Sequence, residues 1–316
     1  MASKTTVPTT TLNTGATMPL HGLGTWLSKP GEVKDAVKAA LLAGYRHIDC
    51  AAVYGNETEV GEAFAEVFGD ESNDISREDV FVTSKLWSTH HDKAREGLEK
   101  TLADLGLDYL DLYLIHNPVA VVDGWEFGDA SPESLKYIPV AQKWKAMEDL
   151  QTAGLTKAIG VSNFTAVIMY ELLASATIKP AVVQIERHPF LNQGRFAKFM
   201  KLHNIHITNY SPLGNPGFFP AQREGEVNAP TERLLDNQVV VDTAAKYGKT
   251  PAQVLIRWAI EHGATVIPKS VKESRIQENF DVFDFSLTEE DMAALDGLDR
   301  SYRYADFGFF AIPIFY

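Results

Sequence analysis

Four polar side chains stand where an apolar strand has no need of them. The short strand-like run 46–48 leads into Asp49, with Tyr54 shortly beyond. The run 80–84 leads into Lys85, and 109–115 leads into His116. A carboxylate, a phenol, an ammonium and an imidazole at successive strand ends are the parts of a proton-transfer site. A free phenol titrates near ~10 and is a poor acid at neutral pH. A neighbouring ammonium stabilises the phenolate, so Lys85 is expected to lower the pKa of Tyr54. Asp49 would hold Lys85 by an ion pair, and His116 would orient a carbonyl oxygen. Together they form a general acid for a developing alkoxide. Taken singly, each has an ordinary structural use: a wall tyrosine, a solvated lysine, a helix-capping aspartate, a core histidine. Their joint placement at three consecutive strand ends points to an enzyme.

Short β-type runs alternate with amphipathic helical stretches along the whole chain. Strands are predicted over 20–24, 46–49, 80–86, 109–116, 158–162, 182–186, 205–210 and 265–268. Helices are predicted over 32–43, 58–67, 91–105, 140–153, 165–174, 193–202, 237–247 with 252–261, and 274–280. Thr250-Pro251 opens one helix as N-cap and first residue, while Gly44, Gly106, Gly154 and Gly263 mark C-terminal ends. Eight alternating strands and helices imply parallel pairing with right-handed crossovers. The count favours an α/β fold of the closed (β/α)8 TIM-barrel type over an open sheet. Segments 9–12 and 17–20, joined by 13–16, read as an N-terminal β-hairpin plugging the barrel's bottom. Long connections at 116–140 (with Gly124, Trp125, Phe127 and Gly128) and 211–235 (with Phe218 and Phe219) read as covers over a substrate. The tail 298–316 carries seven aromatic residues and is expected to lie over an apolar site.

The 316 residues are 45% hydrophobic, enough for a large core, and are read as one domain spanning 1–316. A net charge of −13 argues against nucleic acid or an anionic membrane as partner. One cysteine, Cys50, permits no intrachain disulfide. The first residues form no apolar signal core, and no run approaches the ~18 apolar residues of a membrane helix. The expectation is a cytoplasmic protein, monomer or homodimer, whose sequons at Asn56 and Asn163 are accidental. Gly22-Leu23-Gly24 starts like a dinucleotide fingerprint, but Leu27 stands where its third glycine belongs. The pairs His90-His91 and His203/His206 lack companions at ligand spacing, so no metal is expected.

Longer motifs add a family. Gly44-Tyr45-Arg46-His47-Ile48-Asp49-Cys50-Ala51-Ala52-Val53-Tyr54-Gly55-Asn56-Glu57 strongly resembles the signature of the aldo-keto reductase superfamily. Leu112-Tyr113-Leu114-Ile115-His116, Gly160-Val161-Ser162-Asn163-Phe164 and Ile267-Pro268-Lys269-Ser270 resemble it too. Segments 176–181 and 312–315 are similar to the aldose and xylose reductase branch. The resemblance implies an NADPH-binding barrel, with Tyr54 as proton donor, Asp49 and Lys85 tuning it, and His116 orienting a small-molecule carbonyl substrate. It implies that Ser162, Asn163 and Gln184 bond the nicotinamide carboxamide, that Tyr210 stacks on the ring, and that Ser211 and Leu213 meet the pyrophosphate.

Lys269, Ser270, Lys272 and Arg275 form a basic group after the last strand, where a barrel's phosphate site is expected. Lys269 and Arg275 would pair with a 2′-phosphate, favouring NADPH over NADH; Glu278 and Asn279 would neighbour the adenine. Trp26, Val53, Trp87, Asn117 and Phe127 are expected as substrate walls, by position and by resemblance. Asn117 departs from the family, where an aromatic residue usually follows the histidine, and would favour a hydroxylated substrate. Ala305 departs from the Asn that xylose reductases tend to carry, which puts xylose itself in doubt. The reaction expected is reduction of an aldose, uronate or related aldehyde. The alternatives are an NADP-dependent alcohol or polyol dehydrogenase working oxidatively, or a non-catalytic cofactor-sensing subunit.

Overall fold

The computed structural model describes residues 7–127, 129, 131–215, 230–310 and 312–315. Gly128, Phe218, Phe219 and Tyr316, named above in the loops and tail, lie outside the described residues. Eight parallel strands form one sheet: β1 (Leu23–Gly24), β2 (His47–Asp49), β3 (Phe81–Leu86), β4 (Leu110–Ile115), β5 (Thr156–Ser162), β6 (Val182–Glu186), β7 (His206–Tyr210) and β8 (Thr265–Val266). Each pairs with the next in chain order. The sheet closes where Gly22 N–H donates to Val266 O at 2.9 Å and Val266 N–H donates to Leu20 O at 2.9 Å. The chain is therefore a (β/α)8 barrel, as the strand count implies.

Gly22 and Gly24 serve that closure. A Cβ on Gly22 would meet the His47 ring at 2.6 Å, and one on Gly24 would meet Ile267 O at 2.9 Å. Their lack of side chains lets neighbouring strands approach.

Alternation along the strands sorts the core into two layers. Leu112 and Leu114 of β4 point inward, where they meet Met18, Phe81, Ala158 and Val182. Tyr113 and Ile115 point outward to the helices. The expected hairpin, Thr9–Thr11 with Thr17–Pro19, pairs antiparallel and carries Leu12 and Met18 into the inner layer. It thereby seals the N-terminal end of the barrel.

The outer helices are α1 (Val33–Ala43), α2 (Glu57–Phe68), α3 (Ala94–Leu105), α4 (Val140–Thr152), α5 (Ala166–Ser175), α6 (Gly194–Leu202), α7 (Gln238–Tyr247), α8 (Pro251–Glu261) and α9 (Glu273–Phe280). Thr250 caps α8 through a reciprocal box with Gln253, and Pro251 follows it. One further helix, α10 (Glu289–Asp296), is missing from the sequence reading. It buries only Leu295, so its apolar periodicity is faint. Its start was nonetheless written in the Thr288…Asp291 capping box.

Two covers lie over the C-terminal end of the barrel. The 116–140 loop folds on itself as a short antiparallel pair, Ala120–Val121 with Leu135–Lys136. Val121 and Trp125 of this loop pack on Phe310 and Ile314 of the tail. Glu186, at the end of β6, fastens the tail by accepting the backbone N–H groups of Tyr304 at 2.7 Å and Ala305 at 2.8 Å.

Candidate active site

The mouth of the barrel opens into a cavity of about 670 Å3. All eight strands deliver residues to it or beneath it, because the side chain at or just past each C-terminal end faces the axis. Lys85, on β3, lies at the floor and is fully buried. Its Nζ donates to Asp49 Oδ1 at 2.5 Å, to Cys50 O at 2.8 Å and to Tyr54 Oη at 3.2 Å. Three donors meet three acceptors, so the ammonium is saturated without water. The other oxygen of Asp49 accepts from Gln184 Nε2 at 2.7 Å. Tyr54 sits in a short 3-10 turn after β2, Ala52–Tyr54, and its ring meets the His116 ring edge-on, centroids 5.8 Å apart. The four residues read first from the sequence are thus neighbours.

The electrostatics correct one expectation. Burial is the largest influence on the Tyr54 phenol, and it outweighs the opposing pull of Lys85. The phenol is pushed up to about 12 rather than lowered. Lys85 alone would have acidified it, but a phenolate in this dry site loses more hydration than one ammonium returns. Burial also disfavours a charge on Lys85, yet Asp49 and Tyr54 more than offset it and hold the ammonium above the ordinary lysine value. For His116, burial and then the Lys85 charge press the imidazole well below its usual range. At neutral pH the site therefore holds a protonated phenol, a charged lysine and a neutral imidazole.

A polar line continues along the far wall. Asn163 has left-handed backbone, φ 62°, which asparagine tolerates better than most residues. Its Nδ2 donates to His116 O at 2.8 Å and Ser162 Oγ at 3.1 Å, and its Oδ1 accepts from Tyr210 Oη at 2.7 Å. Ser162, Asn163, Gln184, Tyr210, Ser211, Leu213 and Lys269 all line the one cavity. Lys269 Nζ donates to Leu27 O at 2.9 Å, and burial lowers its ammonium's pKa. Ser270, Arg275, Glu278 and Asn279 do not line it. Ser270 accepts from Lys272 N–H at 3.1 Å, Glu278 accepts from Thr250 Oγ1 at 3.0 Å, Arg275 is exposed on α9, and Asn279 is buried.

Of the expected walls, Trp26, Val53, Trp87 and Phe127 line the cavity, but Asn117 does not. Asn117 is fully buried; its Nδ2 donates to Ser88 Oγ at 2.8 Å and its Oδ1 accepts Val119 N–H at 2.9 Å. It fastens the loop after β4 instead of facing a substrate. Thr25 and the tail residues Tyr302, Asp306, Phe307 and Phe309 line the cavity without having been singled out. The aromatic content of the tail was the available signal for most of them.

A closed parallel barrel whose C-terminal mouth holds a cavity over buried polar groups has the layout of a barrel enzyme. The aldo/keto reductase family model matches residues 20–300, and the chain belongs to that family of oxidoreductases acting on carbonyl and alcohol groups. It is 50% identical over 305 residues to aldo-keto reductase family 1 member A1 of Xenopus tropicalis, covering 95% of this chain and 91% of that one. It is 47% identical over 298 residues to the Gallus gallus protein of the same name, covering 93% and 89%. Among solved structures, the aldose reductase from Schistosoma japonicum superposes with a TM-score of 0.85 at 40% identity, over 95% of both chains.

Proposed function

We propose that the chain is an NADPH-dependent carbonyl reductase that converts an aldose, uronate or related sugar aldehyde to its alcohol, with Tyr54 as proton donor. The observation that carries this is the Lys85 ammonium bridging Asp49 and the Tyr54 hydroxyl beside His116. The residues present fit a dinucleotide. One continuous cavity runs from Tyr54 past the Tyr210 ring to Lys269, a partly buried ammonium with no ion-pair partner among the described residues, which a phosphate would suit. Ser162, Asn163 and Gln184 would hold the carboxamide, Ser211 and Leu213 the pyrophosphate, and Lys269, Ser270 and Arg275 the 2′-phosphate. Glu278, exposed on α9, and the buried Asn279 behind it would neighbour the adenine. Gln184 spends its amide N–H on Asp49, so its Oε1 is the free acceptor.

The coenzyme supplies the hydride when bound. His116, neutral at working pH, directs the substrate oxygen toward Tyr54. Tyr54 releases its proton to that oxygen as negative charge develops there, and Lys85 stabilises the phenolate left behind. Asp49 keeps Lys85 charged and in place throughout. A phenol held near 12 is protonated at neutral pH and so carries the proton that reduction consumes. The sugar preference rests on aromatic faces, Trp26 and Trp87, sharing the cavity with Asp306 and Tyr302 of the tail; Asn117 no longer supports it. The same reading treats 1–316 as one domain, and the single buried thiol of Cys50 suits the cytoplasm.

Tyr54→Phe tests the proposal. NADPH oxidation with aldose, uronate and aromatic aldehydes should fall about 10³-fold, while quenching of protein fluorescence by NADPH stays. Turnover within about tenfold of the parent would remove Tyr54 as the acid.

A further inference from the structure

A second cavity, about 570 Å3, lies on the flank of the barrel between α6 and the C-terminal end of α8. It shares no lining residue with the mouth cavity. Ile205 and Ile207 floor it, and Arg187, directly after β6, stands in its wall. Arg187 is only 3% exposed. Its Nε donates to Asn192 O at 2.6 Å and its Nη2 to Asn192 Oδ1 at 3.1 Å, so both acceptors are neutral. No ion pair to it is formed among the described residues. Burial pulls the guanidinium down to about 10, with Asp296 the one charge opposing.

The Arg187 Cζ lies 5.4 Å from the Trp258 ring centroid and Asp296 exerts the one opposing charge, yet no carboxylate pairs with the guanidinium among the described residues. The Nη1–Nη2 edge that Asn192 does not occupy is shaped for two oxygens. The same lining supplies more positive charge. α6 turns Gly194, Ala197, Lys198 and Lys201 to the cavity, a spacing that puts them on one helix face. The two small residues leave room, and both lysines are exposed. Among the described residues Asp296 is the only carboxylate in the lining, and it already accepts from Trp258 Nε1 at 2.8 Å and His262 Nε2 at 2.9 Å. Three cations against one engaged carboxylate, on a chain of net charge −13, make this a locally basic cavity.

We propose that this flank cavity binds a small oxyanion of two or more negative charges, a phosphate or a dicarboxylate. Arg187 grips two of its oxygens, with Lys198 and Lys201 over the rest. Nothing in the reduction chemistry uses these residues.

Titration calorimetry at constant ionic strength, with inorganic phosphate and separately with succinate, tests it. The parent should bind at least one of the two saturably at roughly millimolar concentration. Binding of phosphate alone would identify a phosphate site, and of both a general oxyanion site. Lys269→Ala, which alters the mouth cavity, should leave this binding intact. The Lys198→Ala/Lys201→Ala variant changes only exposed side chains and should weaken it at least about tenfold. Arg187→Met should abolish it, and if that variant fails to fold the double variant decides. Parent-like binding by the double variant, loss in Lys269→Ala alone, or no saturable binding by the parent would overturn the proposal.

Discussion

At the floor of the mouth cavity, the groups proposed to react sit on or beside strand ends and are held by hydrogen bonds: Lys85 by three acceptors, Asp49 by Lys85 and Gln184. At the rim the side chains come from loops and the tail and are held mainly ring to ring. Trp87 meets Phe127 at 5.8 Å, Phe127 meets Phe309 at 5.3 Å, and Trp125 stacks on Phe310 at 5.4 Å. Phe127 is 64% exposed, whereas Lys85 is sealed. Directional bonds on rigid strands fix the geometry that proton transfer needs. Non-directional aromatic contacts tolerate exchange of one ring for another, so the rim can change what is admitted without disturbing the chemistry.

Breaking the floor should have the largest effect. Lys85→Met leaves Asp49 buried and unpaired, which should cost ~3–5 kcal/mol by urea unfolding and reduce turnover by at least ~10²-fold. A cost under ~1 kcal/mol would show that the floor is not the stiff element described. The layer around and beneath the floor should give way next, in acid. Burial holds His21 and His47 at about 3 and His206 at about 4, all below the free imidazole. Folded-state values depressed for a base mean that the full stability is present above ~6.5 and is lost as pH falls toward those values. Each imidazole should contribute a slope of about 1.4 kcal/mol per pH unit in that window. Unfolding midpoints flat between ~pH 6.5 and ~pH 4 would show that these rings are charged in the folded protein.

The rim should respond differently. Phe309→Ala removes a half-buried ring and should cost about 1–2 kcal/mol, yet raise KM for bulky apolar aldehydes several-fold relative to small polar ones. Equal changes for both substrate types would blur the division between floor and rim. The smallest functional effect is expected at Asn117. Asn117→Ala loses two hydrogen bonds and about 1–3 kcal/mol, with the ratio of sugar to aromatic aldehyde reduction unchanged.

The same division separates what was legible in the sequence from what was not. Strand and helix positions were readable because apolar period and capping are local: β6 was placed residue for residue, and α1, α4 and α6 within a residue or two at each end. The floor was readable because its residues terminate those runs or follow them closely. The side of the loop to which Asn117 turns was not, since alternation no longer predicts direction once β4 has ended. The Tyr54 phenol was misjudged for a related reason. Sequence shows which charges can meet, whereas the loss of hydration that decides the balance belongs to the closed fold. Glu186 as the tail's fastening and Arg187 on the flank likewise depend on chain segments far apart in sequence.

The central claim is that Tyr54, not His116, provides the proton. The most direct test is kcat/KM for aldehyde reduction from about pH 5 to about pH 11, in the parent and in Tyr54→Phe. With the phenol near 12 and the imidazole depressed, the parent should hold its rate to the alkaline end of that range, and the variant should lie far below it at every pH. A parent rate that already falls on leaving acid pH, together with a variant that matches it, would assign the proton to the imidazole and contradict the account.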